Sequence, residues 1–299
     1  MKQRIGMVGI GLMGHGIAYN LARHGHTLAV LDHPGNQPLD ELLPLGVTTR
    51  ASAAAVAADS DLVILCVTGS PQVEAVLTGE RGLLAALRPG TVVVDCSTAI
   101  PESTVRMAEA VHAAGGRFLD APMTRLPKQA REGRLNLLVG GDPAVFEAIR
   151  PVLACFAENI THVGPVGAGH RMKLLHNFVS LGSIALIAEA AALSQAAGIA
   201  PAVLIDVLTK GGGGGAALDR LTPYLTTGDA SNLQFVMANA LKDLSYYTEM
   251  AGNAGAARAI ADAVAATFGE VVGRGGGQAL VPELVTLLGA DARRRPAKG

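Results

Sequence analysis

A short apolar run, Ile5-Gly6-Met7-Val8, leads straight into Gly9, Gly11 and Gly14, a G-x-G-x-x-G spacing. A helical pattern then opens with Ile17, Ala18 and Leu21, and the next apolar run, 28–31, closes on Asp32. This order constrains the fold more than any other feature. A buried strand that turns through glycines into a helix, with an acid after the second strand, is the start of a parallel α/β sheet. The glycines allow close backbone approach to a pyrophosphate, the helix N-terminus faces its charge, and the acid suits ribose hydroxyls. A lone glycine string also makes ordinary turns. Here the strand before it, the helix after it and the acid agree on a dinucleotide site.

The chain has 299 residues, enough for two domains. Hydrophobic residues are 49% but aromatics only 3%, so Ala, Val, Leu and Gly must fill the core. A net charge of −1 argues against nucleic-acid and membrane-surface binding. Cys66, Cys96 and Cys155 lie in or beside apolar runs without C-x-x-C spacing, and read as buried free thiols in a reducing compartment. No cleavable signal is read at the N-terminus, so a soluble cytoplasmic protein is expected. The most apolar stretch, 179–197, contains Glu189 and Gln195 and reads as a buried helix rather than a membrane span.

Residues 1–165 alternate apolar runs (5–8, 27–31, 62–67, 91–95, 117–120, 135–139 and 160–163) with helical stretches. Asp142-Pro143 reads as an N-cap followed by proline in the first turn. After Gly164-Pro165-Val166-Gly167 no strand pattern recurs. A long helix is expected within 166–197, ended by Gly198, followed by an all-helical domain over 198–292 and a frayed tail over 293–299. The five glycines 211–215 read as a flexible loop. The long helix has more apolar surface than a small domain needs. Burial in a homodimer or homotetramer, through this helix and the C-terminal domain, is the economical expectation.

Asp32 would bind the adenosine ribose and repel a 2′-phosphate, and His33-Pro34-Gly35 offers no arginine to receive one; NAD is therefore expected over NADP. Val67 and Thr68 after one strand, and Ser97 and Thr98 after another, face the same crevice, where hydroxyls and amides would hold the nicotinamide ribose. Lys173 and Asn177, four apart at the start of the long helix, share one helical face that Ser180 continues.

Four blocks taken together resemble the β-hydroxyacid dehydrogenases, the family of 3-hydroxyisobutyrate dehydrogenase and tartronate semialdehyde reductase. They are Gly9-Ile10-Gly11-Leu12-Met13-Gly14, Asp120-Ala121-Pro122, Gly167-x-Gly169 with Lys173 and Asn177, and Lys242-Asp243-Leu244. The resemblance implies a doubly wound Rossmann domain, an interdomain helix and an all-α C-terminal domain. It implies reversible oxidation of a hydroxyl β to an acid group on a small anionic hydroxy acid or semialdehyde. Lys173 would be the general acid/base, and Asn177 would orient the substrate. Leu12 and Met13 join the glycines at the cofactor, Lys242 reaches the nicotinamide or substrate end, and Asp243 either orients it or caps a helix. Phe235 either closes the site or belongs to the core.

One block departs from the family. Many members continue Val-Ser-Gly-Gly after Asp120-Ala121-Pro122, whereas this chain reads Met123-Thr124-Arg125-Leu126. Thr124 can replace the serine hydroxyl, and Arg125 adds a forked cation suited to an anion, unless it merely pairs with an acid such as Glu132. Arg125 resembles the arginine of sulfolactaldehyde reductases, which makes a sulfonate-aldehyde reductase the alternative within the class. His176 is expected to line the substrate site and His170 to contact cofactor or solvent; with irregular spacing and no nearby carboxylate or cysteine they make no metal ligand set. Lys173 argues against an imine reductase. A reading of another class is a non-catalytic NAD-binding sensor or scaffold, which needs no lysine–asparagine pair.

Overall fold

The computed structural model describes residues 2–294, in two compact units that divide the chain between Lys173 and Leu174. In the first unit β1 (Arg4–Val8), β2 (Thr27–Leu31), β3 (Thr48–Arg50), β4 (Leu62–Leu65), β5 (Val92–Asp95) and β6 (Arg117–Asp120) run parallel in the order β3-β2-β1-β4-β5-β6. The helices α1 (Leu12–Arg23), α2 (Ala53–Ala58), α3 (Ser70–Thr78) and α4 (Pro101–Ala113) connect them. Alternate residues of one strand feed two separate cores. Leu62 and Ile64 join a cluster with Ile5, Met7, Ile17 and Leu21, while Val63 and Leu65 join one with Val56, Val73 and Val111. Both faces are covered, so the strand is apolar throughout.

The sheet is not wholly parallel, as its first half suggests. After β7 (Met123–Thr124) and α5 (Pro127–Arg131), β8 (Leu135–Gly141) runs antiparallel to β6 and β7. The link between β7 and β8 is too short for a parallel crossover, which takes a dozen or more residues. After α6 (Pro143–Leu153), β9 (Ala157–Gly164) pairs parallel with β8. Asp142 caps α6 as expected, its Oδ1 accepting from the amides of Ala144 and Val145.

Then comes α7 (Ala168–Ala196), 29 residues and about 43 Å long. Its first turns belong to the first unit and the rest to the second. Gly198, at φ +74°, follows its C-terminus in the left-handed conformation that favours glycine. The second unit continues with α8 (Pro201–Lys210), α9 (Ala216–Thr227), α10 (Met237–Asn253), α11 (Ala259–Gly273) and α12 (Leu284–Arg294). Among its described residues an isolated bridge, Val236 to Leu280, is the one extended pairing. Two positions of the expected tail continue α12, and 295–299 lie outside the described residues.

Candidate active site

The glycine loop separates two kinds of glycine. A Cβ on Gly9, which sits at φ +95°, would meet the Cys66 carbonyl oxygen at 2.2 Å, and one on Gly14 would meet the Gly9 carbonyl oxygen at 1.9 Å. Those two serve the protein's own packing. A Cβ on Gly11 would meet nothing within 4 Å. Space in front of Gly11, at the N-cap of α1 where no side chain caps the helix, is what a pyrophosphate requires. The residues therefore fit a dinucleotide. Leu12 is exposed and Met13 half-buried on the first turn of α1. Asn36 Oδ1 accepts from the Ile10 amide at 3.3 Å, tying the segment after β2 to the loop.

Asp32 is exposed just past β2, and its amide donates to the Arg50 carbonyl. The Arg50 guanidinium is committed to Asp59 at 2.7 Å. Past β4, the Val67 amide donates to Ser97 Oγ at 3.0 Å. Thr68 beside it is exposed, and Thr98 is half-buried.

Two aspartates, Asp95 and Asp120, stand opposite each other on β5 and β6, both fully buried. Asp95 Oδ1 accepts from the Ser97 amide at 2.9 Å. Burial pushes the Asp95 carboxyl above the usual range, opposed by His170 and the Ser97 hydrogen bonds. Asp120 accepts from the amides of Gly167 (2.8 Å) and His170 (2.9 Å), so a carboxylate from the sheet caps the first turn of α7. The fit is close: a Cβ on Gly169 would meet the Leu138 carbonyl at 2.3 Å, and one on Gly140 would meet Asp120 Oδ1 at 2.6 Å.

His170 lies inside this cluster, which corrects the expectation that it meets cofactor or solvent. Its ring is fully buried, with Nδ1 2.7 Å from Thr104 Oγ1 and Nε2 3.1 Å from the Ser97 carbonyl, to which it donates. Asp95 and Asp120 lie 4.0 and 3.9 Å from the two ring nitrogens. Ser97 is corrected likewise. It is 3% exposed, and its hydroxyl accepts from the Val67 amide inside the buried cluster instead of facing the crevice, where it was expected to meet nicotinamide ribose or substrate.

Lys173 follows one turn after His170, half-buried. Asn177 is buried, and its Nδ2 donates to Asp243 Oδ2 at 2.6 Å. That bond orients the amide, so Asn177 Oδ1 accepts from Nδ1 of the exposed His176 at 3.0 Å. The Lys242 ammonium sits 2.8 Å from Asp243 Oδ1 and 4.9 Å from the centre of the Tyr246 ring. Asp243 lies well inside α10, so of its two expected roles the capping one is excluded; it holds both Lys242 and Asn177. Phe235, just before α10, is half-buried.

The segment after Asp120 is engaged elsewhere. Thr124 is 8% exposed and its Oγ1 accepts from Asn136 Nδ2 at 3.0 Å. Arg125, a non-glycine residue at φ +82°, directs its guanidinium to Glu158 and to the Arg134 carbonyl. The acid partner is thus Glu158, brought alongside by β9, while Glu132 pairs with Arg134 at 3.5 Å. Arg125 in turn holds the Glu158 carboxyl below its usual range. Burial raises all three thiols, Cys66 to about 12, which leaves them protonated and poor nucleophiles. Among the described residues no group of three or more His, Cys, Asp and Glu is arranged for a metal ion.

Residues 4–164 match the NAD binding domain of 6-phosphogluconate dehydrogenase, and residues 167–288 match the family described as NAD-binding of NADP-dependent 3-hydroxyisobutyrate dehydrogenase. The chain is 38% identical over 208 residues to 2-hydroxy-3-oxopropionate reductase of Escherichia coli, covering 70% of each. It is 36% identical over 220 residues to 3-hydroxyisobutyrate dehydrogenase of Pseudomonas aeruginosa, covering 74% of each. The chain belongs to the β-hydroxyacid dehydrogenase family. The solved 3-hydroxyisobutyrate dehydrogenase of Mycobacterium tuberculosis with L-serine superposes at a TM-score of 0.85, at 27% identity, over 96% of this chain and 99% of that one. This β-hydroxyacid dehydrogenase is accordingly an oxidoreductase with an NAD-binding Rossmann domain.

Proposed function

We propose that the protein catalyses the reversible, NAD-dependent oxidation of the hydroxyl of a small β-hydroxy acid, with Lys173 as the general acid/base. The observation that carries this reading is the treatment of α7. A buried carboxylate fixes its first turn one turn before Lys173, and a second buried carboxylate, Asp243, orients Asn177 one turn beyond it. Such fixed geometry is what proton transfer to a reacting oxygen needs.

When bound, NAD supplies the hydride acceptor. Lys173 takes the hydroxyl proton during oxidation and returns it during reduction. Asn177 orients the substrate. Gly11, Leu12 and Met13 receive the pyrophosphate on the turn that Gly9 and Gly14 allow, Asp32 the ribose, and Val67, Thr68, Thr98 and Lys242 the nicotinamide side. The preference is for NAD over NADP, because Asp32 is exposed past β2 and Arg50 is held by Asp59. His176 and Phe235 border the substrate. Relatives named 2-hydroxy-3-oxopropionate reductase and NAD-dependent L-serine dehydrogenase support a short-chain acid. The sulfonate alternative rested on Arg125 and is not carried forward, because Glu158 already occupies that guanidinium. In this reading the enzyme works in the cytoplasm as a homodimer or homotetramer.

Absorbance at the NADH band, with NAD and a panel of 3-hydroxy acids, tests the proposal. The expected result is NAD reduction by at least one acid, faster than with NADP. No turnover of any acid, together with an NAD-driven change in oligomeric state, would favour a sensor instead.

A further inference from the structure

With Arg125 occupied, the substrate's acid group needs another counter-charge. We propose that Arg220 on α9 supplies it, an inference that rests on the Lys173–Asn177 reading. Most arginines of the described chain are ion-paired with an acid. Of the arginines up to residue 289 without an acid partner (Arg23, Arg81, Arg117, Arg171 and Arg220), Arg220 alone is withdrawn from solvent, being half-buried. Among the described residues its one hydrogen bond runs from Nη1 to Ser180 Oγ at 3.2 Å. A guanidinium has five N–H donors in a rigid fork. Taking that charge partly out of water with no anion beside it is unfavourable, unless an anion arrives.

Its place decides which anion. Ser180 lies three residues beyond Asn177 and seven beyond Lys173, and positions i, i+4 and i+7 share one face of a helix. Arg220 is therefore anchored on the face of α7 that carries the proposed proton-transfer and orienting groups. The five-glycine segment accounts for its delivery. Gly215, at φ +121°, is the N-cap of α9, a conformation closed to other residues, and Arg220 follows in the second turn of the helix. The ligand class is a carboxylate attached to the carbon chain that bears the reacting hydroxyl, gripped by the free part of the fork.

The test uses the full-length enzyme and whichever 3-hydroxy acid of the panel it turns over fastest. Arg220→Gln is expected to raise KM for that acid about tenfold or more, with KM for NAD within about twofold and kcat within about threefold. Arg220→Lys, which keeps the charge but not the fork, is expected to fall between the two, and it serves as the readout if the glutamine variant does not fold. Free guanidinium is expected to lower KM in Arg220→Ala. A rise in KM for the acid below about threefold, or a parallel loss of NAD affinity and kcat that free guanidinium does not relieve, makes Arg220 a brace for Ser180 and overturns the proposal. Either outcome alongside a dead Lys173→Ala enzyme rejects Arg220 alone; absence of turnover with every acid rejects both readings.

Discussion

Gly11 and Gly14 differ in what a side chain would meet, so their alanine variants should fail differently. Gly14→Ala drives a Cβ into the Gly9 carbonyl and is expected to lower stability by about 2–4 kcal/mol, seen as a lower urea midpoint without cofactor. Gly11→Ala has open space and should melt like the parent, yet bind NAD about tenfold more weakly by titration calorimetry. Equal stability losses for both would mean that Gly11 serves packing. These glycines were legible in the sequence because the turn they make is local. Asp120, Asp95 and His170 were not legible as a cluster. The bonds that unite them span 47 to 73 residues, and no local pattern announces that a strand-end acid will cap a helix so far downstream. Arg125 shows the same limit: residue type suggested an anion site, but the acid that occupies it lies 33 residues away on β9.

At the scale of elements, α7 depends on the strand ends beneath its first turn. Asp120→Ala removes a cap and leaves His170 beside one acid instead of two. It should cost about 2–4 kcal/mol and lower kcat more than it weakens NAD binding. Asp95 gives the cluster a pH signature. Burial raises its folded pKa above the unfolded one, so the folded chain holds that proton more tightly. The associated stability is complete below the ordinary aspartate range and is lost as pH rises through the raised folded value. Asp95→Asn lacks this loss. Its urea midpoint, relative to the parent, should therefore climb as pH rises above about 4, and a pH-independent difference would contradict the assignment. The long helices and central strands were legible from period and capping residues. Four elements were not. α5 is a five-residue helix, too short for a period. β3 and β7 are too short to show a period, and α2 is an alanine-rich run marked only by its Ser52 cap.

At the scale of the whole molecule, α7 bears on assembly. By length and composition it could cross a membrane, yet half of its most apolar window is buried. What stays exposed is ordered. Met172, Val179, Leu186 and Leu193 recur every seven residues, the last two about 70% exposed, a spacing that suits a helix–helix seam. Light scattering should find a dimer or larger, and Leu186→Glu with Leu193→Glu should shift it toward monomer; a parent that is monomeric at micromolar concentration would contradict this. Turnover also belongs to the whole molecule, and Lys173→Ala measures it most directly, with NAD affinity and kcat read on one preparation. The expected result is NAD binding within about twofold of the parent and a kcat lower by about a hundredfold or more, as for loss of a general acid/base. A variant that keeps most of its kcat would contradict the assignment of the proton to Lys173.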